Sequence, residues 1–205
     1  MINPSKKVKE SLFQIASEQQ GYFTTSQAIE VGFQDATHPY HVKCGDWIRE
    51  WRGIYRIARY PLTEEGQYVL WSLWSRNRQG IRQGVYSHQT ALTLFDLSDI
   101  MPVKLHMTVP PGFRRHSEIP GVLILHRLII TQDEIEEREG YSVTRPARAI
   151  VDLIVEESVS VDIVQQAFKE SKQRGLIRNI DFQRYRSDTE TYRKIKDCIG
   201  DFDIT

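Results

Sequence analysis

Several groups of residues in this sequence have types and spacings that could do chemistry. His88, flanked by Ser87 and followed by Thr90, carries the side chains of a nucleophile and a general base. Neighbouring residues rarely present both groups to one substrate, and no orienting carboxylate is identifiable from the spacing. A helix cap beside a hydrogen-bonded histidine explains the trio better. Asp152, Glu156 and Glu157 could be the metal-binding carboxylates of a nuclease. They fall on a helix whose other side is apolar, so a solvated face is the expectation. Arg145 and Arg148 flank Pro146 and could touch nucleic acid or an acidic protein surface; an Arg148–Asp152 pair at i, i+4 spacing is the simpler reading. A Walker loop, a GxGxxG after a strand and an HExxH are all absent. These patterns give no warrant for catalysis, and neither a metal nor a cofactor is expected.

A different chemistry follows from the basic side chains between residues 37 and 59, where Lys43, Arg49, Arg52, Arg56 and Arg59 stand against Asp46 and Glu50. Such groups suit phosphates and base edges. The elements that must position them are legible. Val8, Leu12, Ile15 and Ala16 recur at helical spacing, with Asn3 and Pro4 suited to the cap and first turn. Tyr22 and Phe23 suit a short strand, and Thr24 with Gln27 has the spacing of a capping box opening a second helix that ends near Val31 and Gly32. A third helix is expected from Thr37 to Gly45, with Pro39 tolerated in its first turn and outward side chains drawn from His38, Tyr40, His41 and Lys43. Trp47 to Trp51 and Ile54 to Ile57 are β-prone runs joined at Arg52-Gly53, a hairpin carrying Arg49, Arg52 and Arg56. Two short helices followed by a basic hairpin are the pattern of a winged helix-turn-helix. Its candidate DNA-binding residues are Thr37, His38, Tyr40, His41, Lys43, Arg49, Arg52 and Arg56, while Trp47, Trp51, Ile54 and Tyr55 are expected to include core packing residues.

The polar stretch from Arg59 to Thr63 interrupts the apolar periodicity and predicts a domain boundary, with a winged helix over residues 1–60 and a mixed α/β domain over 61–205. Tyr68, Leu70, Trp71, Leu73 and Trp74 predict a buried helix ending between Arg78 and Gly80, and Ser87 is a plausible cap for a helix burying Ala91, Leu92, Leu94 and Phe95. Val103, Leu105, Met107 and Val109 alternate with polar neighbours, and "GVLILHR" is a second strand, so the loop Pro110 to Pro120, with its exposed Arg114-Arg115 pair, reads as a hairpin connection. The acidic segment 131–140, a short strand from Tyr141 to Val143 and a helical tail follow. The tail has Pro146 in a first turn, apolar faces through Ala149 to Ile154 and through Val161 to Phe168, and a last helix within Asp181 to Ile199. The fold class is α+β, with a small sheet and several helices in the second domain.

The motifs "YFTTSQAIEVGF", "WRGIYR" at its spacing from Gly45, "YSHQTALTLFDL", "LHMTVPPG" and "VTRPARAIVDL", in this order across roughly residues 8 to 157, resemble AbiEi-type antitoxins, a family of bacterial transcriptional regulators with an N-terminal winged helix. The resemblance implies binding to double-stranded DNA at the protein's own operator, autorepression of a two-gene operon, and neutralisation of a cognate nucleotidyltransferase-like toxin through the C-terminal part. The chain departs from the family where members carry several arginines along the recognition helix; here stand Pro39, Tyr40, His41 and a single Lys43.

Composition sets outer limits. The 205 residues are 40% hydrophobic and 26% charged, ordinary values for a globular chain. No apolar run is long enough to span a bilayer, and "MINPSKKVKE" does not read as a signal peptide, so a cytoplasmic protein without membrane partners is expected. Cys44 and Cys198 form no ligand pattern. The formal net charge of zero weighs against strong non-specific DNA binding. Three or four phosphate contacts would give a salt slope of about −3 to −4, and affinity would be recovered by a homodimer or by two copies on repeated half-sites. A protein-interaction module using the winged helix as a scaffold is the alternative reading.

Overall fold

The structure is a computed structural model that describes residues 5–115 and 118–200. The chain is α+β and divides into two compact units, the first running to Gly84 and including Glu137–Tyr141, the second comprising Val85–Glu136 and the chain from Ser142.

In the first unit, α1 (Lys6–Ser17) starts at Ser5, whose hydroxyl accepts a hydrogen bond from the Val8 amide at 3.4 Å. Asn3 and Pro4, expected at this cap, lie outside the described residues. Gly21 then turns the chain at φ +85°, and a Cβ there would come within 2.5 Å of the Tyr60 ring, so both the conformation and the close approach call for glycine. β1 (Tyr22–Thr24) leads into α2 (Thr25–Glu30) through the expected capping box: the Thr24 hydroxyl accepts from the Gln27 amide, and the Gln27 side chain accepts from the Thr24 amide. A 3-10 turn at Asp35–Thr37 precedes α3 (His38–Lys43). β2 (Trp47–Trp51) and β3 (Ile54–Ile57) form an antiparallel hairpin, and β1 adds to the free side of β3, giving the order β1-β3-β2. Leu12, Ala16, Phe23, Ala28, Phe33, Trp47 and Tyr55 meet in one core, with Val8, Val31, Val42 and Ile57 packed at its edge. α4 (Gly66–Trp74) stops at Ser75, short of the expected Arg78 to Gly80. It packs on β1 and β3, burying Val69, Leu73 and Trp74. The first unit therefore extends beyond the polar stretch at Arg59 to Thr63, as far as Gly84.

The second unit contains β4 (Val85–Tyr86), α5 (His88–Leu94), β5 (Leu105–Val109) and β6 (Leu123–Arg127). A 3-10 turn at Gln132–Glu134 then leads to β7 (Ile135–Arg138) and β8 (Tyr141–Thr144), whose connecting tip groups with the first unit. α6 (Pro146–Glu156), α7 (Val161–Gln173), α8 (Ile180–Gln183) and α9 (Thr189–Ile199) complete it; α9 is the last helix expected within Asp181 to Ile199, and a 3-10 turn at Arg184–Ser187 precedes it. The sheet order is β6-β5-β4-β8-β7.

Two expectations are corrected here. β5 and β6 are parallel, from Leu105 opposite Leu123 to Val109 opposite Arg127, so the segment around Pro110 to Pro120 is a return crossing rather than a hairpin turn. β5 is also buried along its whole length instead of on alternate residues. Its polar members are satisfied inside: the Thr90 hydroxyl accepts from the His106 amide at 2.8 Å, and the Thr108 hydroxyl donates to Ser87 Oγ at 2.8 Å.

Candidate functional site

The nucleic-acid candidates of the first unit separate into two sets once packing is known. α3 is amphipathic, and its inward face is made by the two histidines. His38 is 1% exposed, with its ring 5.2 Å from Trp47 and 5.8 Å from Tyr55, edge-on to both. His41 is 4% exposed and stacks on Trp47 at 4.7 Å, with Phe33 edge-on at 5.2 Å. Its Nδ1 lies 3.3 Å from Asp46 Oδ2. Both are corrected from base-edge candidates to core residues; a ring enclosed by aromatic neighbours cannot reach a groove. Burial lowers the His38 pKa, opposed by the Asp35 carboxylate 3.4 Å away and assisted by His41. Arg56 is corrected in the same way. It is 6% exposed on β3, donating through Nε to Glu50 Oε1 at 2.7 Å and through Nη1 to the Tyr60 carbonyl at 3.4 Å.

The remaining candidates stay near the surface. Tyr40 is 46% exposed, Lys43 ends α3 exposed, and Arg49 and Arg52 are exposed on β2 and at the hairpin tip. Thr37 is partly buried and donates its hydroxyl to the Gln34 carbonyl at 2.7 Å, a cap-like local bond. Ile48 and Trp51 of β2 are also partly exposed, Trp51 packing edge-on against Trp71 at 5.1 Å.

The second unit gathers a constellation that sequence spacing did not bring together. His88 opens α5 with its backbone at φ +52° and is fully buried. Its ring stacks on that of His126, from β6, with centroids 3.6 Å apart and planes 14° from parallel. His106, from β5, follows at 5.2 Å from His126. Glu156, the last residue of α6, brings Oε1 to 3.2 Å from His88 Nε2 and 2.8 Å from His126 Nδ1. His126 Nε2 is 3.0 Å from His106 Nδ1, and His88 Nδ1 is 2.8 Å from Ser87 Oγ. Ser87 Oγ accepts from Thr108 and keeps a proton and a second lone pair, so it can donate to His88 Nδ1 or accept from it according to the imidazole tautomer, while the other ring nitrogen, Nε2, faces the carboxylate. That Nε2 is buried without a hydrogen-bond partner. Burial, with the neighbouring histidines adding to it, pulls His88 down to about 2, and burial with His126 pulls His106 to about 4, so both are neutral at pH 7.

Ser87 stands at the cap position, as expected, but its side chain serves His88 and Thr108 rather than the helix amides. The carboxylate that the spacing around Ser87 and His88 did not supply nearby is Glu156, brought to 3.2 Å from His88 Nε2 from far along the chain. The expected solvated face of α6 is corrected at Asp152, which is buried and accepts from Arg148 Nε at 2.7 Å, the pair suggested by their spacing. Arg148 also reaches both oxygens of buried Glu134, at 3.2 and 3.1 Å. Glu134 accepts the Tyr185 hydroxyl at 3.2 Å as well. Thus part of the acidic segment is internal structure, and Asp133 is paired with Arg184 at 2.9 Å. Glu157 pairs with Lys194 at 2.8 Å.

No family model and no curated protein sequence matches this chain. Among solved structures it is similar to the Rv2827c protein from Mycobacterium tuberculosis, at 9% sequence identity and a TM-score of 0.51, over 99% of this chain and 83% of that one. At that identity the similarity concerns the fold. No described helix is long and apolar enough to cross a membrane.

Proposed function

We propose that the first unit is a winged helix-turn-helix and that the protein is a DNA-binding transcriptional regulator of the AbiEi antitoxin type. In this reading α2 and α3 form the helix-turn-helix, α3 enters the major groove, and the β2–β3 hairpin is the wing. The observation that carries it is the division of α3 and the hairpin into a buried aromatic face and an exposed set: Tyr40 and Lys43 on the helix, Arg49 and Arg52 on the hairpin. Lys43 suits guanine acceptors, while Arg49 and Arg52 suit phosphates beside the groove. Withdrawal of Arg56 into an ion pair leaves three of the four candidate cations, Lys43, Arg49 and Arg52, for DNA, at a counterion-release slope of about −3. Autorepression and neutralisation of a nucleotidyltransferase-like toxin by the second unit rest on the resemblance of the motifs; placement in the cytoplasm is drawn from a sequence without an apolar run of bilayer length.

The test is fluorescence anisotropy of the full-length protein on the duplex upstream of its own gene, against a shuffled duplex, over a salt series. Preference for the upstream duplex with a slope near −3 supports the regulator. Absence of binding at low salt sinks it, and favours a protein-interaction module on the same scaffold. That second reading draws on the zero net charge and on the exposure of Ile48 and Trp51 on β2. The antitoxin role has its own check: co-expression with a neighbouring nucleotidyltransferase gene should restore growth that the toxin alone arrests.

A further inference from the structure

We propose that His88, His126 and Glu156 in the second unit form a binding site for a divalent transition-metal ion of the zinc type. The three residues each offer one donor atom, and these atoms lie within 4.8 Å of one another. With zinc–ligand distances of about 2.0–2.1 Å, a tetrahedral site holds its donors about 3.3 Å apart. The observed separations of 2.8 and 3.2 Å from the shared carboxylate oxygen are close to that edge. Two imidazoles and one carboxylate suit zinc-type ions, whereas calcium and magnesium prefer oxygen-only shells. Three protein donors leave a position for water.

Four features favour a metal over a purely hydrogen-bonded cluster. His88 Nε2 is buried and lacks a hydrogen-bond partner although a carboxylate oxygen stands 3.2 Å away, and a cation held between the two would satisfy both. Each histidine has an outer partner of the kind that orients metal ligands: Ser87 Oγ, itself held by Thr108, at His88 Nδ1, and His106 Nδ1 at His126 Nε2. The backbone is strained on both sides of the site, at His88 with φ +52° and at Glu157, next to Glu156, with φ +50°. Finally, Glu156 is partly exposed at the end of α6, which gives an ion a path to the buried His88. The near-parallel rings of His88 and His126 do not yet converge on one point, so coordination requires His126 and Glu156 to turn while His88, locked by Ser87, stays in place.

The experiment uses tag-free full-length protein stripped by a chelator and dialysed. Zinc is titrated in competition with a chromophoric chelator, and cobalt is added separately to read the visible absorption of a tetrahedral site. One equivalent is expected, with affinity more than about tenfold weaker in His126→Ala and in Glu156→Gln, and unchanged in a Cys44→Ser, Cys198→Ser double variant. Glu156→Gln keeps shape and size at a partly exposed position, and far-UV circular dichroism verifies its fold. Absence of stoichiometric binding, or equal binding by the parent and by folded Glu156→Gln, overturns the proposal.

Discussion

Arg52 and Arg56 have the same chemistry and neighbouring positions on one hairpin, yet packing assigns them opposite roles. Arg52 is exposed at the tip, whereas Arg56 is buried against Glu50. On the proposed DNA-binding reading, Arg52→Ala should weaken all duplexes about equally and reduce the salt slope by about one, while Lys43→Ala should relax sequence preference; anisotropy on own and shuffled duplexes measures both. Arg56→Ala should instead lower stability, by about 1–3 kcal/mol, because Glu50 loses a partly buried donor; urea titration reads this. If Arg56→Ala changes the salt slope as Arg52→Ala does, its placement in the interior is wrong. A second residue-scale prediction concerns His38, whose pKa is lowered chiefly by burial. Below its ordinary value near 6.5, the unfolded chain takes up a proton that the folded chain refuses. Stability should therefore fall as pH drops through that value, by at most about 1.4 kcal/mol per pH unit, until the lowered folded pKa is reached. The Asp35 carboxylate opposes the effect and His41 adds to it. His38→Phe should flatten this dependence. Trp47, Trp51, Trp71 and Trp74 all lie in the first unit, so tryptophan fluorescence in urea at several pH values reports it directly.

Helices in this protein are opened by local signals but oriented by partners. The capping box at Thr24 and Gln27 and the proline at the first turn of α6 act within a few residues, and both elements start where those signals stand. Which face each helix buries depends on what lies opposite. α3 turns His38 and His41 inward because Trp47 and Tyr55 supply the aromatic surface. α6 buries Asp152 as well as its aliphatic residues because Arg148 pairs with it and with Glu134, ahead of β7. Arg148→Ala should leave Asp152 buried without its cation and Glu134 with only Arg184, 3.5 Å away, and cost about 3–5 kcal/mol, measured by far-UV circular dichroism in urea. A loss below 1 kcal/mol would mean the network is a solvated face after all.

At the scale of the whole molecule, zero net charge sets the terms of any DNA binding. One copy with three cations at the duplex binds modestly, so regulation would require two copies on one duplex. A duplex with two half-sites about one helical turn apart should bind about a hundredfold tighter than one with a single half-site, checked by anisotropy and by stoichiometry. Equal affinity for the two duplexes would argue for a lone copy. The sequence by itself determined the order of elements through the first hairpin, the Thr24 capping box, the Arg52-Gly53 turn and the Arg148–Asp152 pair, because each is written in residues close together along the chain. Only the tertiary structure decided that His38, His41 and Arg56 are interior, that β5 and β6 run parallel, and that His88, His126 and Glu156 meet around one carboxylate oxygen. Burial and convergence depend on what another element places opposite a side chain. Periodicity within one segment carries no record of that partner.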